Sequence, residues 1–332
     1  MVALALLFTT SLAFSEARLT RLPSGVIRLT ETCAQIANRQ NELAAWTNQA
    51  EGRSCQKKPI TRGKTCSVDI TDCLPDHARR YQGSSAAVDG PNCFNLALMM
   101  KNVVGGFRQS SDGEFKNYLS SSLCRELDPA QGDRPQAGDV GSVEDRIDGR
   151  VIHHGFIYIS PALVYSKNSQ SETDPYAVQS LRGMAIANHV DGYGPPCPED
   201  SEGCPHGQLH YFRCQNFQTF FDQIVSARKP ILSEVRRRVD AIECFYQGTQ
   251  FGEQVPENSV QTHITDNLQI LTSYLQQQAG HLANLTSEER YVLQTMYLRL
   301  DNMRTLQYQE RHDLKLSSLY SKAMEKLPPT MP

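Results

Sequence analysis

The order of helix and strand signals in the middle of the chain restricts its fold most. An apolar stretch with helical spacing begins at Cys93 and stops at Gly105-Gly106. A second helix is predicted over residues 114–127. Strand-like segments then follow at residues 139–143, 151–159 and 162–165. Because the helices precede the strands instead of alternating with them, we expect an α+β domain and not a series of βαβ units.

The two flanks of this domain have a different character. Residues 29–49 have a loosely helical pattern, and residues 50–80 are polar and rich in cysteine. Long helical patterns with Leu, Tyr and Met at spacings of three and four cover residues 217–246, 260–278 and 287–326. The last two are predicted to form a helical hairpin or bundle. We therefore expect a cysteine-rich segment over 18–80, a central domain over 81–215 and a helical region over 216–332.

Ten cysteines indicate an oxidising compartment in which disulfides form. Four of them lie close together in the N-terminal segment and are expected to staple it: Cys33, Cys55, Cys66 and Cys73. Cys197 is expected to pair with Cys204 or Cys214. If Cys93 is a free thiol, nine cysteines remain, so at least one more must be unpaired within the chain.

The start of the chain predicts secretion. Residues 2–13 are largely apolar, and Ser15-Glu16-Ala17 places small residues at the two positions that a signal peptidase reads. We expect a signal peptide over 1–17, a secreted or periplasmic location, and no membrane-spanning segment, because this apolar run is too short to cross a bilayer. A net charge of −3 gives no reason to expect a nucleic acid partner.

The strongest candidates for catalytic residues are Cys93 and the two histidines of the segment His153-His154. A thiol in the first turn of a helix lies near unpaired backbone N–H groups, which favour the thiolate. In a strand, His154, Phe156 and Tyr158 would share one face, and His153, Gly155 and Ile157 the other. Only one of the two histidines can therefore face a given cleft, and the alternation alone does not decide which.

Several spaced residues resemble the papain-like NlpC family of secreted cysteine endopeptidases, which trim bacterial cell-wall peptides. Tyr81, Gly90 and Cys93 have the spacing of that family's nucleophile segment, and Gly138-Asp139-Val140 is similar to its glycine-aspartate strand start. His154-Gly155-Phe156-Ile157-Tyr158-Ile159 fits the frame of its histidine strand. The resemblance covers residues 81–170.

This resemblance implies a papain-like core in which the helix that carries the nucleophile packs on a small antiparallel sheet. Cys93 would attack an amide carbonyl of a peptidoglycan stem peptide, and His154 would take and return the proton. Tyr81 would help to hold the oxyanion. The family's third polar residue falls on Ser166, with Asn168 as the alternative, and His153 is the alternative base. The resemblance implies no cofactor and no metal.

The sequence departs from the family around the thiol. Asn92 stands where the family has aspartate, and Phe94-Asn95 stands in place of serine-glycine. This departure favours a second hypothesis, a deamidase or transglutaminase-like effector that acts on protein. A third hypothesis is a non-enzymatic envelope or adhesion protein whose C-terminal helices bind a protein partner. The third hypothesis predicts that Cys93 is disulfide-bonded or that no polar group reaches His154.

Two further motifs do not indicate a functional site. Cys204, His206, His210 and Cys214 are residue types that bind zinc, but their spacing matches none of the common structural zinc patterns. The basic run Arg236-Arg237-Arg238 is typical of a solvated helix face.

Overall fold

The computed structural model describes residues 17–55, 57–85, 91–145, 151–169, 171, 173–194, 207–225, 230–250, 257–311 and 314–327. The predicted signal peptide lies outside these residues except for Ala17. Gly90, Cys197, Cys204 and His206 also lie outside them. The α+β class is confirmed, with about half of the chain in helices and a fifth in antiparallel strands.

The N-terminal segment forms a small antiparallel sheet covered by a helix. Its strands are β1 (Arg18–Arg21), β2 (Ile27–Thr32), β3 (Ile60–Arg62) and β4 (Thr65–Asp69), in the order β1-β2-β4-β3. Helix α1 (Ile36–Glu51) and helix α2 (Asp76–Tyr81) follow strands β2 and β4. The helix predicted from residue 29 therefore begins seven residues later, because Ile27, Leu29 and Glu31 alternate with exposed neighbours and form a strand.

The four clustered cysteines pair with one another, as predicted. Cys33 bonds to Cys66 and Cys55 bonds to Cys73. A third disulfide joins Cys124 to Cys214. The alternative that Cys197 pairs with Cys214 is therefore wrong, because Cys214 is already bonded to a cysteine ninety residues before it in the sequence.

A six-stranded antiparallel sheet forms the central domain. Its strands are β5 (Cys124–Glu126), β6 (Val140–Asp145), β7 (Ile152–Tyr158), β8 (Leu163–Ser166), β9 (Ala177–Ser180) and β10 (Gly207–Cys214), in the order β5-β10-β6-β7-β8-β9. The three predicted strands are β6, β7 and β8, which occupy the centre and one side of this sheet. Three other strands, β5, β9 and β10, were not predicted.

Helices cover both faces of the central sheet. Helix α3 (Cys93–Met100) packs on β7, beside helix α4 (Asp112–Leu119), and helix α5 (Leu181–Ala187) follows β9. The second predicted helix is shorter than expected, because the end of that segment becomes β5 and pairs with β10. On the face that α3 covers, Val140 and Ile157 belong to the main hydrophobic core. On the other face, Phe156 and Tyr158 form a smaller cluster with residues of α5.

The C-terminal region forms a four-helix bundle with two additional short helices. Its helices are α6 (Phe217–Val225), α7 (Pro230–Gln250), α8 (Glu257–Gln277), α9 (Ala279–Leu282), α10 (Ser287–Arg311) and α11 (Leu314–Met324). Helix α7 contacts α8, α8 contacts α11, α11 contacts α10, and α10 contacts α7. The predicted helices 217–246 and 287–326 are each divided into two, and α8 pairs with α7 and α11.

The hydrophobic core is continuous through all three parts of the chain. A single cluster of buried side chains runs from Ile27 in β2, through Leu96 in α3, to Leu327 after α11. Helix α10 of the bundle packs directly on α4 of the central domain. Among the helices of the described residues, none combines the length and the apolar character needed to cross a bilayer.

Candidate functional site

Asn92 fixes the start of the helix that carries Cys93. Its Oδ1 accepts a hydrogen bond from the backbone N–H of Asn95 at 3.0 Å, which is the usual contact of an N-cap residue. Its Nδ2 donates to the carbonyl oxygen of Ser110 at 2.8 Å. An aspartate could cap the helix but could not donate this second bond. The local structure therefore accounts for asparagine at this position.

Cys93 is a buried, unpaired thiol in the first turn of α3. It is 6 % exposed, and within the described residues only Cys93 and Cys244 lie outside the three disulfides. Burial raises the pKa of the thiol to about 11, although backbone N–H groups of Gly155, Phe94 and Cys93 itself donate to the sulfur and favour the thiolate. The thiol is therefore neutral at pH 7 in this arrangement.

Helix α3 lies on one face of β7, and the ring of His154 lies on the other. A Cβ added to Gly155 would stand 3.2 Å from Cδ1 of Phe94, so Gly155 faces the helix. His154 is paired across the sheet with Val143, which belongs to the smaller cluster on the opposite face. Its ring stacks on that of Phe156, with centroids 6.5 Å apart. The structure therefore does not bring the His154 imidazole to the Cys93 sulfur.

The imidazole of His154 has no hydrogen-bond partner within the described part of the chain. Both of its ring nitrogens are buried and unpaired. Burial lowers the pKa of His154 to about 4, so the ring is neutral at pH 7. The contact between this strand and the thiol is made by the backbone, since the N–H of Gly155, directly after His154, favours the Cys93 thiolate.

A β-bulge lies directly beside the two histidines. The pairing of β6 with β7 shifts between Val143 and Glu144, so that Val143 pairs with His154 but Glu144 pairs with Ile152. The extra residue is His153, whose Nε2 lies 3.3 Å from Oδ2 of Asp145. His154 keeps the face of Phe156 and Tyr158, and the extra residue instead places Ile152 on the other face with Ile157.

Ser166 and Asn168, the predicted third residues, do not contact His154. Ser166 is fully buried on β8, and its Oγ accepts from Nε2 of Gln179. The same Nε2 donates to Oδ1 of Asn168 at 2.7 Å. Both candidates are therefore engaged by a glutamine on the neighbouring strand β9, and neither orients the imidazole.

Tyr81 lies in an aromatic cluster. Its ring packs against Phe107 with centroids 4.5 Å apart and against His77 with centroids 4.9 Å apart. The same cluster includes Tyr165 and Tyr176. Burial raises the pKa of the Tyr81 hydroxyl. This packing gives Tyr81 a structural role in joining α2 to the sheet.

A buried network of charges connects the bundle to the segment that holds Asn92. Glu243 of α7 accepts from Nε of Arg108 at 2.7 Å and is also paired with Arg299 of α10. Arg108 makes a second ion pair with Glu114 at 2.7 Å and donates to Oγ of Ser110 at 3.2 Å. Sequence reasoning missed these residues, because Arg108 and Glu243 are separated by 135 positions.

A cleft lies at the other end of α3. It has a volume of about 810 Å³ and is lined by the end of α3, α1, the start of α2 and the start of α6. Lys101, directly after α3, and His77 of α2 are partly buried titratable groups in its lining. Burial lowers the pKa of Lys101 to about 8, against the opposing influence of Asp139. Neither residue had been singled out from the sequence, where nothing marks them.

The structure gives no support to a zinc site at the predicted zinc-type residues. Cys214 is in a disulfide, and Nδ1 of His210 lies 2.6 Å from Oε1 of Glu126. Within the described ranges no group of three or more His, Cys, Asp or Glu side chains could hold a metal ion.

Comparisons with protein-family models, with curated proteins and with solved structures give no significant match to this chain.

Proposed function

We propose that this protein is an extracytoplasmic cysteine-dependent hydrolase with a papain-like core, in a resting arrangement. One observation carries the proposal: Cys93 is an unpaired thiol at the start of a helix, and its sulfur accepts the backbone N–H that follows His154. The side chain of His154 is a buried imidazole whose two nitrogens are both unpaired. The three disulfides fit an oxidising compartment.

The proposed activation step is a change at the bulge beside His153 and His154. A shift of the extra residue by one position would move His154 to the face of β7 that α3 covers. An unpaired buried imidazole costs roughly 1–3 kcal/mol, and a bond to the thiol would recover part of this cost. Bound substrate would supply the rest by favouring the active arrangement over the resting one.

The proposed reaction is acyl transfer through a thioester. The Cys93 sulfur attacks an amide carbonyl while His154 accepts the thiol proton, and the imidazolium then protonates the leaving amine. Water, activated by His154, hydrolyses the thioester and restores the thiol. The backbone N–H groups of Phe94 and Gly155, which already point at the sulfur, are suited to bind the oxyanion. The proposed substrate class, peptidoglycan stem peptides, rests on the resemblance at residues 81–170.

A second candidate is a non-enzymatic binding protein that retains this fold. The observation that favours it is the position of the His154 ring, which is on the opposite face of the sheet from α3 and has no polar neighbour within bonding distance among the described residues. The raised pKa of the buried Cys93 thiol agrees with this candidate as well.

Alkylation with iodoacetamide separates the two candidates. The mature, non-reduced protein is labelled between pH 6 and 10, with and without peptidoglycan fragments, and the labelled peptides are mapped by mass spectrometry. Cys244 is exposed and provides an internal reference for thiol reactivity. The hydrolase predicts slow labelling of Cys93 alone, at least tenfold faster labelling with fragments, and release of new amino groups that Cys93→Ser and His154→Ala abolish.

Equal, slow labelling of Cys93 under all conditions, without new amino groups, would contradict the hydrolase and leave the binding protein. Release of ammonia from glutamine side chains of added protein, without cleavage of wall fragments, would instead identify a deamidase acting through the same thiol.

A further inference from the structure

The cleft at the C-terminal end of α3 contains a cation without an anionic partner. The Lys101 ammonium group donates to the carbonyl oxygen of Cys214 at 3.2 Å. Across the described ranges, no carboxylate lies within ion-pair distance of it. Asp139 is the carboxylate whose charge raises the pKa of Lys101, but it is already paired with Arg213 at 3.0 Å. A partly buried charge in this situation is stabilised by an anion that enters from outside.

The two acidic residues that line the cleft are already neutralised. Glu51 is paired with Arg53, and Asp76 is paired with both Arg79 and Arg53. These arginine contacts balance the carboxylates at the rim, so the unbalanced charge of the cleft is the positive charge of Lys101. The first turn of α6, which contributes Gln218 and Thr219 to the lining, brings the positive end of a helix dipole to the cleft, whereas α1 and α3 end there with the negative ends of theirs.

Other polar groups in the cleft also lack partners. Nε2 of His77 is buried and unpaired, while its Nδ1 lies 3.0 Å from the hydroxyl oxygen of Tyr165. The exposed side-chain amides of Gln49 and Asn102 also line the cleft, and they make no hydrogen bond within the described part of the chain. Each amide offers one acceptor and two donors, which match the N–H and C=O groups of a peptide. Apolar lining by Met99 and Ile157 completes a site of ligand size.

We propose that this cleft binds a small peptide by its free C-terminal carboxylate, with Lys101 as the carboxylate ligand and Gln49 and Asn102 as partners of the peptide amides. The site is independent of the proposed hydrolase activity. Cys93 and Lys101 stand at opposite ends of α3, which at 1.5 Å per residue separates them by about 12 Å along the helix axis.

Protection of Lys101 from reductive methylation tests the proposal. The full-length, non-reduced protein is treated at pH 8 with a pool of N-acetylated dipeptides that have free carboxylates, and separately with the same dipeptides as C-terminal amides. Peptide mapping then gives the methylation rate of each lysine. Lys116, which is paired with Asp112 on the surface of α4, serves as the reference. We expect the acid pool to slow methylation of Lys101 at least tenfold, and the amide pool and Lys116 to show no change.

Binding of the acid pool by Lys101→Met, measured by calorimetry, should be at least tenfold weaker than binding by the wild type and by Lys116→Met. Equal protection by acids and amides, or no protection by either pool, would overturn the proposal. Both outcomes are measured on the wild-type protein, so they do not depend on whether the variants fold. Loss of amide cleavage in the Cys93 experiment would not affect this result, because the readout is the lysine.

Discussion

At the scale of single residues, Asn92 is the position where the sequence departs from the family pattern for a physical reason. Its side chain caps α3 and donates to the Ser110 carbonyl at the same time. We predict that Asn92→Asp lowers the free energy of unfolding by about 1–3 kcal/mol, because a buried carbonyl loses its donor and faces a carboxylate. Urea denaturation measures this change.

The same substitution should slow alkylation of Cys93, because a negative charge beside the thiol raises its pKa further. Asn38→Asp, on an exposed part of α1, is the matched control and should change neither stability nor labelling. An unchanged unfolding midpoint in Asn92→Asp would show that the bond to Ser110 contributes nothing.

His154 makes the folded state sensitive to acid. Its pKa is about 4 when folded and about 6.5 when unfolded. The unfolded state therefore binds the proton first, and the stability present above pH 6.5 declines as the pH falls towards 4. Between pH 6.5 and pH 4, protonation of His154 in the unfolded state lowers the free energy of unfolding by about 3 kcal/mol.

Urea denaturation of the wild type and of His154→Leu at pH 7 and at pH 4.5 measures this contribution. We predict that the variant loses less stability than the wild type between the two pH values. The variant should still lose some, because burial also lowers the pKa of His77, to about 3. Parallel losses in the two proteins would show that His154 titrates as freely in the folded state as in the unfolded one.

The sequence predicts that Cys93 starts a helix and that His154 shares a face with Phe156 and Tyr158, but it does not predict which face of the strand the helix covers. The capping position and the apolar spacing are local signals, and α3 begins at Cys93 as expected. Which face of β7 the helix covers depends on packing between distant segments, and alternation along a single strand contains no record of it. The bulge opposite Val143 and Glu144, which moves Ile152 to the face of Ile157, is likewise a feature of pairing between strands.

At the scale of elements, Glu243 links helix α7 to the segment between α3 and α4. It is fully buried between the guanidinium groups of Arg108 and Arg299. Burial alone would raise the pKa of Glu243, but the two arginines outweigh it and hold the pKa at about 2. We predict that Glu243→Gln lowers the free energy of unfolding by about 3 kcal/mol or more, because two buried cations lose their shared anion.

Glu234→Gln on the same helix is the matched control. Glu234 is partly exposed and pairs with Arg237 and Arg238, so its replacement should cost less than about 1 kcal/mol. Urea denaturation at pH 7 compares the two variants. Similar losses for both would mean that the buried network contributes no more than surface ion pairs do.

The sequence predicted elements well where the pattern was local. Strands β6, β7 and β8 were identified from alternation and turn residues, and the helices of the bundle from their apolar spacing. Strand β2 was read as helix, because its alternating residues run directly into the pattern of α1. Strands β5 and β10 were missed, since their pairing is stabilised by the disulfide between Cys124 and Cys214 across distant segments.

At the scale of the whole molecule, the three regions of the sequence share one core. The bundle contributes Glu243 and Arg299 to the charge network of the central domain, and α10 packs on α4. The N-terminal helix α1 places Trp46 against Tyr165 of the central sheet, with ring centroids 5.5 Å apart. The boundary near residue 216 therefore marks a change of secondary structure within a shared core.

This continuity predicts a single cooperative unfolding transition for the oxidised protein. Trp46 is the only tryptophan, so fluorescence reports the N-terminal region, whereas far-UV circular dichroism reports chiefly the C-terminal helices. We expect urea denaturation followed by the two signals to give the same midpoint, which is the standard test of two-state behaviour. A fragment of residues 18–215 should show no cooperative transition, because it lacks Glu243, one of the two ion-pair partners of Arg108, and helix α10, which packs on α4. Separate midpoints, together with cooperative unfolding of the fragment, would show that the bundle is an independent domain.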